Sequence, residues 1–371
     1  MLNILKLLIL TTILLTLTTV FAYDGYTDQR ITETYEKILI ELMQKYKLPA
    51  LSVAILAHQQ VIYANGFGFA DMESKIVATD TTPYRIASVT KPIASVIILK
   101  LVANGLLQLD GKLKDYWPDY VDYFDTQKKL INEKAPQFIG LIEDYHYERG
   151  DITLRQQLSH TSEGIPGEKF KYSGYLYSQL SELVDKISDR NFHTLVKEDI
   201  ILNLAMDHSL PQQSDTWRPA VSKILAKPYY RDGTGKLVPG EYPKPDLGAG
   251  AGIVSCVSDL AKFDIALDKN LLISGEMKSL AFAPTKLNDG TEAPYGLGWF
   301  IGSYKDHKIV YHTGWQPKAF SALYLKVPGQ DYSLILLANS EDLIAPFMDQ
   351  LGAGQIAGCP FAKYFLDLLW D

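Results

Sequence analysis

Apolar side chains at Ile31, Tyr35, Ile38, Ile40, Leu42 and Met43 recur at a roughly helical period and predict a helix over 30–46. Two extended runs follow, Leu51–Ala57 and Gln60–Gly66, and the polar pair His58-Gln59 between them predicts a hairpin. Lys91–Leu107 is long, apolar and built of helix-tolerant residues, so it reads as a buried helix. Three strand-like runs come late and close together: Lys308–His312, Phe320–Val327 and Tyr332–Ala338, with Pro328-Gly329-Gln330-Asp331 as the turn between the last two. Phe361–Trp370 closes as a short amphipathic helix.

Strands at both ends with helical periods between them predict an α/β chain of α+β type. One antiparallel sheet gathers strands from both termini, helices flank it, and an all-helical domain is inserted. The boundaries that follow are a sheet part over about 23–106 and 285–371 and a helical part over about 107–284. Tyr116–Arg149, rich in Tyr, Asp and Lys without clear periodicity, reads as a surface excursion or as a lid.

The first 22 residues differ from the rest. Lys6 is their only charge, and Leu7–Phe21 is largely apolar and ends at the small Ala22. This predicts a secretory signal at 1–22, cleaved after Ala22, and a periplasmic or secreted chain with no stable membrane span after cleavage. The alternative is an uncleaved anchor, but the run is shorter than the ~20 residues a spanning helix needs. Export would place Cys256 and Cys359 where a disulfide survives; an even count permits a bridge without demanding one. The formal charge of −7 argues against a nucleic-acid partner. Among metal and cofactor patterns, His-Glu-x-x-His and paired Cys-x-x-Cys are missing. Gly248-x-Gly-x-Gly252 has Ile253 where a dinucleotide fingerprint needs its third glycine. The expectation is therefore no metal and no cofactor.

Three short clusters could carry chemistry. Ser88-Val89-Thr90-Lys91 places a hydroxyl and an amine on one face at the start of the buried helix, and a desolvated lysine there can activate the serine. The same spacing also occurs where serine caps a helix and the lysine is a surface charge. Lys171-Tyr172-Ser173-Gly174 puts a tyrosine at a loop-to-helix junction, where it can pass protons or simply pack. Tyr311-His312-Thr313-Gly314-Trp315 ends a strand in a glycine that lets backbone approach a ligand; histidines in such places are also commonly structural.

Their joint order resembles the serine β-lactamase and penicillin-recognising family, in the branch of class C β-lactamases, D-alanyl-D-alanine carboxypeptidases and related esterases. Leu48–Ala54, Ile152–Ser162, Gly248–Ser255 with Asp259-Leu-Ala-Lys-Phe, Tyr295–Trp299 and Leu336–Asn339 extend the likeness over about 30–340. The resemblance implies Ser88 as nucleophile, Lys91 and Tyr172 as its proton-transfer pair, and the backbone N–H groups of Ser88 and Trp315 as oxyanion hole. It implies substrate contacts from His312, Thr313, Gly314 and Gly174, with His312 orienting Tyr172 or meeting an acidic substrate group. Three departures stand out. Gly174 occupies the usual Asn place and removes an amide that would bond Lys91 or the substrate. His312 replaces a permanently charged lysine. Trp315 replaces a small residue. The implied function is a serine hydrolase of esters or amides, with an esterase or peptidase favoured over an efficient β-lactamase. Its partner is a small-molecule or peptide substrate, a peptidoglycan stem peptide among them. The alternative is a catalytically weak penicillin- or peptide-binding protein that keeps the fold.

Overall fold

The computed structural model describes residues 27–370 apart from 135, 143–144, 147–150 and 244–246. The expected signal at 1–22 lies outside the described residues. Helix α1 spans 27–46. The hairpin β1 (Ala50–Ala57) and β2 (Gln60–Asp71) turns at His58-Gln59, both with positive φ, and β3 (Ile76–Val77) and β4 (Tyr84–Arg85) follow. Helix α2 covers Thr90–Ala103. Short strands β5 (Tyr229–Arg231), β6 (Leu237–Pro239) and β7 (Val254–Ser255) precede β8 (Phe300–Tyr304), β9 (His307–Gln316), β10 (Phe320–Val327) and β11 (Tyr332–Ala338). The main sheet has the order β3-β2-β1-β11-β10-β9-β8, and its pairings are antiparallel. The N-terminal β1 thus sits beside the C-terminal β11, with Leu51 opposite Ala338 and Ala57 opposite Tyr332.

The central strands read as continuous apolar runs because both of their faces are covered. Along β1, Leu51, Val53 and Ile55 enter one core while Ala50, Ala54 and Leu56 enter the other. β10 divides in the same way, with Leu323 and Leu325 on the first face and Ala322 and Tyr324 on the second. On the first face lie α1 and the closing helix Pro360–Trp370, joined by Tyr35, whose hydroxyl donates to the Phe361 carbonyl at 2.6 Å. Helix α2 lies on the second face and is buried almost all round. From there the core continues without a break into the helices that follow.

Two expectations are corrected. The insertion is not all-helical: β5 and β6 form a hairpin, and β7 pairs with β4. Asp232 builds the β5–β6 turn by accepting from the backbone N–H groups of Thr234 and Lys236, with Gly235 at φ +80°. Nor is 116–149 a bare surface excursion. Trp117, Tyr120, Phe124 and Tyr145 are buried and pack ring to ring; Tyr120 and Phe124 ride the start of the helix Tyr120–Lys134, and Trp117 lies just ahead of it. Its outer face is charged, and that masks the period. Cys256 and Cys359 are both free and buried; Cys359 belongs to the core on the α1 face, while Cys256 caps the helix Val257–Asp268.

Candidate active site

A tight 3₁₀ turn, Ala87–Val89, leads into α2, and Ala87 holds a left-handed φ of +47°. Neither this turn nor α2 has a side-chain cap, so the Ser88 hydroxyl is not consumed by capping. It stays partly open to solvent. One helical turn on, Lys91 is fully buried, and its Nζ lies 2.9 Å from Ser88 Oγ and 2.8 Å from the Gly250 carbonyl. A surface-charge role for Lys91 is thereby excluded. Burial disfavours its charged form and pushes it down to about 7 from 10.5. Its Nζ donates to both Gly250 O and Ser88 Oγ; in its neutral form the amine can turn a lone pair to the serine instead.

Gly250 reaches Lys91 because the glycine loop is held in place. Thr90 Oγ1 accepts from the N–H groups of Gly252 and Ile253 at 3.2 and 3.3 Å, and Ser181 Oγ accepts from Ala249 N at 2.7 Å. This also seats the loop against the start of the helix Gly174–Ile187. Gly250 lies so near the Gly174 carbonyl that a side chain would not fit between them.

Tyr172 precedes that helix. Its hydroxyl bonds Ser88, its ring stacks on Phe300 at 5.7 Å, and Lys91 Nζ sits 4.9 Å from the ring centre. Although the residue is 36% exposed, burial of the hydroxyl end raises its pKa above the ordinary phenol value, and the Ser88 bond offsets only part of that. Tyr172 is therefore a phenol, not a phenolate, at neutral pH. At Gly174, an added Cβ would meet nothing nearer than Lys91 Nζ at 3.9 Å; the open place beside the amine is where an Asn side chain would lie.

The third side is β9. Strand β8 pairs with it only as far as Tyr311, so the edge from His312 to Gln316 is left to face the Ala87–Val89 turn. Contact is close at Gly314, where any Cβ would collide with the Ile86 carbonyl. Uncovered N–H groups at the start of a helical turn and along this edge are the donors an oxyanion needs. Trp315 stands next in line, 40% exposed.

His312 departs from expectation. It is fully buried, its Nδ1 lies 2.7 Å from the Thr313 carbonyl, and its Nε2 lies 2.9 Å from the Tyr295 hydroxyl. A carbonyl only accepts, so Nδ1 carries the proton and Nε2 accepts from Tyr295. Burial, with Lys91 nearby, holds it well below the ordinary histidine value. A neutral ring with both nitrogens occupied cannot meet an acidic substrate group, so His312 does not play that role. Thr313 is also mostly buried.

Two residues of the site escape the sequence reading. Tyr295, in the Tyr-Gly-Leu-Gly-Trp segment, occupies the Nε2 of His312 that the Thr313 carbonyl leaves as acceptor. His160, in the Ser-His-Thr-Ser segment, organises the Tyr172 loop: its carbonyl accepts from Lys171 N at 2.9 Å, its Nδ1 accepts from Ser173 N at 3.2 Å, and its ring packs 4.3 Å from Tyr172. Burial keeps it neutral, with its proton on Nε2. His208, Cys256 and Asp259 are the one His/Cys/Asp/Glu group close enough to hold a metal ion among the described residues. Both Asp259 oxygens are already taken, by His208 N, Ser209 Oγ and Lys262 Nζ.

Known proteins are similar to this chain along most of its length. The chain is 26% identical over 323 residues to Protein flp of Staphylococcus aureus (strain MW2), covering 82% of this chain and 62% of that protein. It is also 26% identical over 307 residues to Penicillin-binding protein 4* of Bacillus subtilis (strain 168), covering 76% of this chain and 66% of that one. It thus spans less than two thirds of the length of these relatives. Its fold is similar to that of D-alanine Carboxypeptidase AmpC from Burkholderia cenocepacia, with a TM-score of 0.68, 16% identity, and 91% and 99% of the two chains covered. The Beta-lactamase family profile matches residues 35–354, from α1 through every strand of the main sheet. Because that match takes in the sheet and the helices between its strands alike, the chain belongs to the Beta-lactamase family, a family of serine hydrolases.

Proposed function

We propose that the chain is an exported serine hydrolase that cleaves acyl esters or amides through an acyl-enzyme on Ser88. The observation that carries this reading is the buried Lys91 amine, 2.9 Å from Ser88 Oγ and tuned to about 7. A base with a pKa near the working pH is both deprotonated often enough and basic enough to take a hydroxyl proton. Ser88 Oγ attacks the substrate carbonyl and its proton passes to Lys91. The tetrahedral oxyanion lies between the N–H groups of Ser88 and Trp315. As the bond to the leaving group breaks, the Tyr172 phenol gives that group its proton and recovers one from the Lys91 ammonium. Water then attacks the acyl ester, and its proton follows the same route back until Ser88 leaves as a hydroxyl. Gly314 and Thr313 line the carbonyl's path, and Gly174 leaves room beside Lys91.

Export rests on the signal read at 1–22. No helix among the described residues is long and apolar enough to cross a membrane.

The test is hydrolysis of 4-nitrophenyl esters and reaction with a fluorescent penicillin, with Ser88→Ala as control. Turnover that disappears in Ser88→Ala supports the hydrolase. Labelling of Ser88 without release makes the chain a penicillin- or peptide-binding protein instead. Turnover that survives in Ser88→Ala removes Ser88 from the chemistry.

A further inference from the structure

The turn that carries Ser88 and the strand that offers the Trp315 N–H are separate pieces of chain, and the hydrolysis proposed above needs them in fixed relation. The turn is strained and held. Ala87 keeps its left-handed φ of +47°, a conformation that a residue other than glycine retains only where its surroundings impose it, and Ile86 N donates to the Ile253 carbonyl at 3.1 Å. The strand is less constrained. Past Tyr311 the β9 edge has no β8 partner, so no ladder on that side sets its distance from the turn.

Arg85 spans the gap. It lies on β4, opposite Val254 of β7 and three residues before Ser88, and it is 2% exposed. With the Gln316 amide turned so that both of its ends are satisfied, its side-chain oxygen accepts from Arg85 Nη2 at 3.1 Å and from Nε at 3.2 Å. Gln316 sits two residues past Gly314 on the same face of β9, and it directly follows Trp315. The far side of the guanidinium is anchored as well: Nη1 donates to the Pro243 carbonyl at 2.6 Å and to Gln213 Oε1 at 3.1 Å. A planar fork buried and gripped from both sides has little room to swing, so it holds Gln316 at a set place relative to Ser88.

We propose that Arg85 is a positioning residue: through Gln316 it sets the end of β9 against the Ser88 turn, so that the N–H groups of Ser88 and Trp315 converge on one oxyanion. This rests on the hydrolase reading and on the oxyanion donors named there, and Arg85 acts through Gln316, not on the substrate.

The test replaces the reacting oxygen by sulfur. Donors placed for an oxyanion stabilise the larger, weakly accepting sulfur of a thiono ester poorly. A well-aligned pair of N–H groups therefore favours 4-nitrophenyl butyrate over its C=S counterpart, and a misaligned pair loses that preference. Values of kcat/KM for both esters are measured in the full chain, Arg85→Lys, Gln316→Met and Ser88→Ala, with thermal melting of each. Lys keeps the positive charge without the fork. Met removes the acceptor and leaves the bonds from Arg85 to Pro243 and Gln213 in place, so Gln316→Met decides the matter if Arg85→Lys does not fold. In the folded variants kcat/KM for the oxygen ester should fall about 10–100-fold, and the oxygen-to-sulfur ratio should fall roughly tenfold. A ratio that stays within about twofold of the unmutated chain in Gln316→Met, whether both esters slow alike or neither slows, overturns the positioning role while leaving Ser88-dependent turnover in place. If the unmutated chain hydrolyses neither ester in a Ser88-dependent way, the hydrolase reading fails and this inference with it.

Discussion

Replacing Lys91 by methionine isolates the energetic consequence of burying a titratable amine. The side chain is fully buried, and its pKa falls from 10.5 to about 7 on folding. Between those values the unfolded chain holds a proton that the native chain lacks. Stability therefore rises with pH across the window and is lowest below pH 7. Every tenfold loss of proton affinity on folding costs about 1.4 kcal/mol, so the fall to about 7 leaves the wild type with a penalty of about 4–5 kcal/mol at low pH that fades toward pH 10.5. Lys91→Met has no such group. It also strands the Gly250 carbonyl, at about 1–3 kcal/mol, but that loss is the same at every pH and drops out of the slope. Urea unfolding of both proteins from about pH 6 to about pH 10 gives the difference directly. The variant's advantage should shrink by about 1.4 kcal/mol for each step of one in pH above neutrality. A difference that is flat with pH, or that grows as pH rises, would show that Lys91 is protonated in the native protein and refute its assignment as a neutral base.

The remaining expectations are shorter. Tyr172→Phe keeps the stack on Phe300 but removes the phenolic proton, so kcat/KM for 4-nitrophenyl esters should fall about 10²–10⁴-fold with unfolding midpoints little changed. Gly314→Ala should lose both stability and turnover, because its methyl group meets the Ile86 carbonyl. Gly174→Ala should instead gain about 0.5–1 kcal/mol in thermal unfolding, since its methyl group meets open space at the first turn of a helix. With both cysteines free and buried, and burial pushing the Cys359 thiol up to about 12, reductant should leave the melting temperature unchanged. Thiol reagents should then count two groups only after unfolding.

Where the chain's own pattern is continuous, it places elements to the residue. Phe320–Val327 and Tyr332–Ala338 are strands at their expected limits, because unbroken apolar runs between turn residues leave little choice. β2 is different: its pattern ends at Gly66, yet the strand runs on to Asp71. It lies near the sheet edge with most of its residues exposed or only half-buried, so apolar alternation is weak. Its glycines serve contacts that no local pattern reveals: at Gly68, φ is +75° and a side chain would strike the Pro49 carbonyl. The helix Tyr120–Lys134 is hidden for a related reason. Its fully buried residues, Tyr120 and Phe124, sit in the first turns, and much of the rest is charged or polar.

The amino-acid sequence by itself determined which chemical groups the protein has and their local spacing: a serine one helical turn from a lysine, a tyrosine at a helix start, a strand ending in Thr-Gly. Local geometry is enough for that, since i and i+3 share a helix face whatever the rest of the chain does. Whether Lys91 is a surface charge or a neutral base, whether His312 meets substrate or locks against Tyr295, and that Glu341 stands behind Trp315 were decided only by tertiary structure. Protonation and exposure depend on what surrounds a group in space. Here the surroundings come from Gly250, Tyr295 and Glu341, which lie 159, 17 and 26 residues along the chain from the groups they bond.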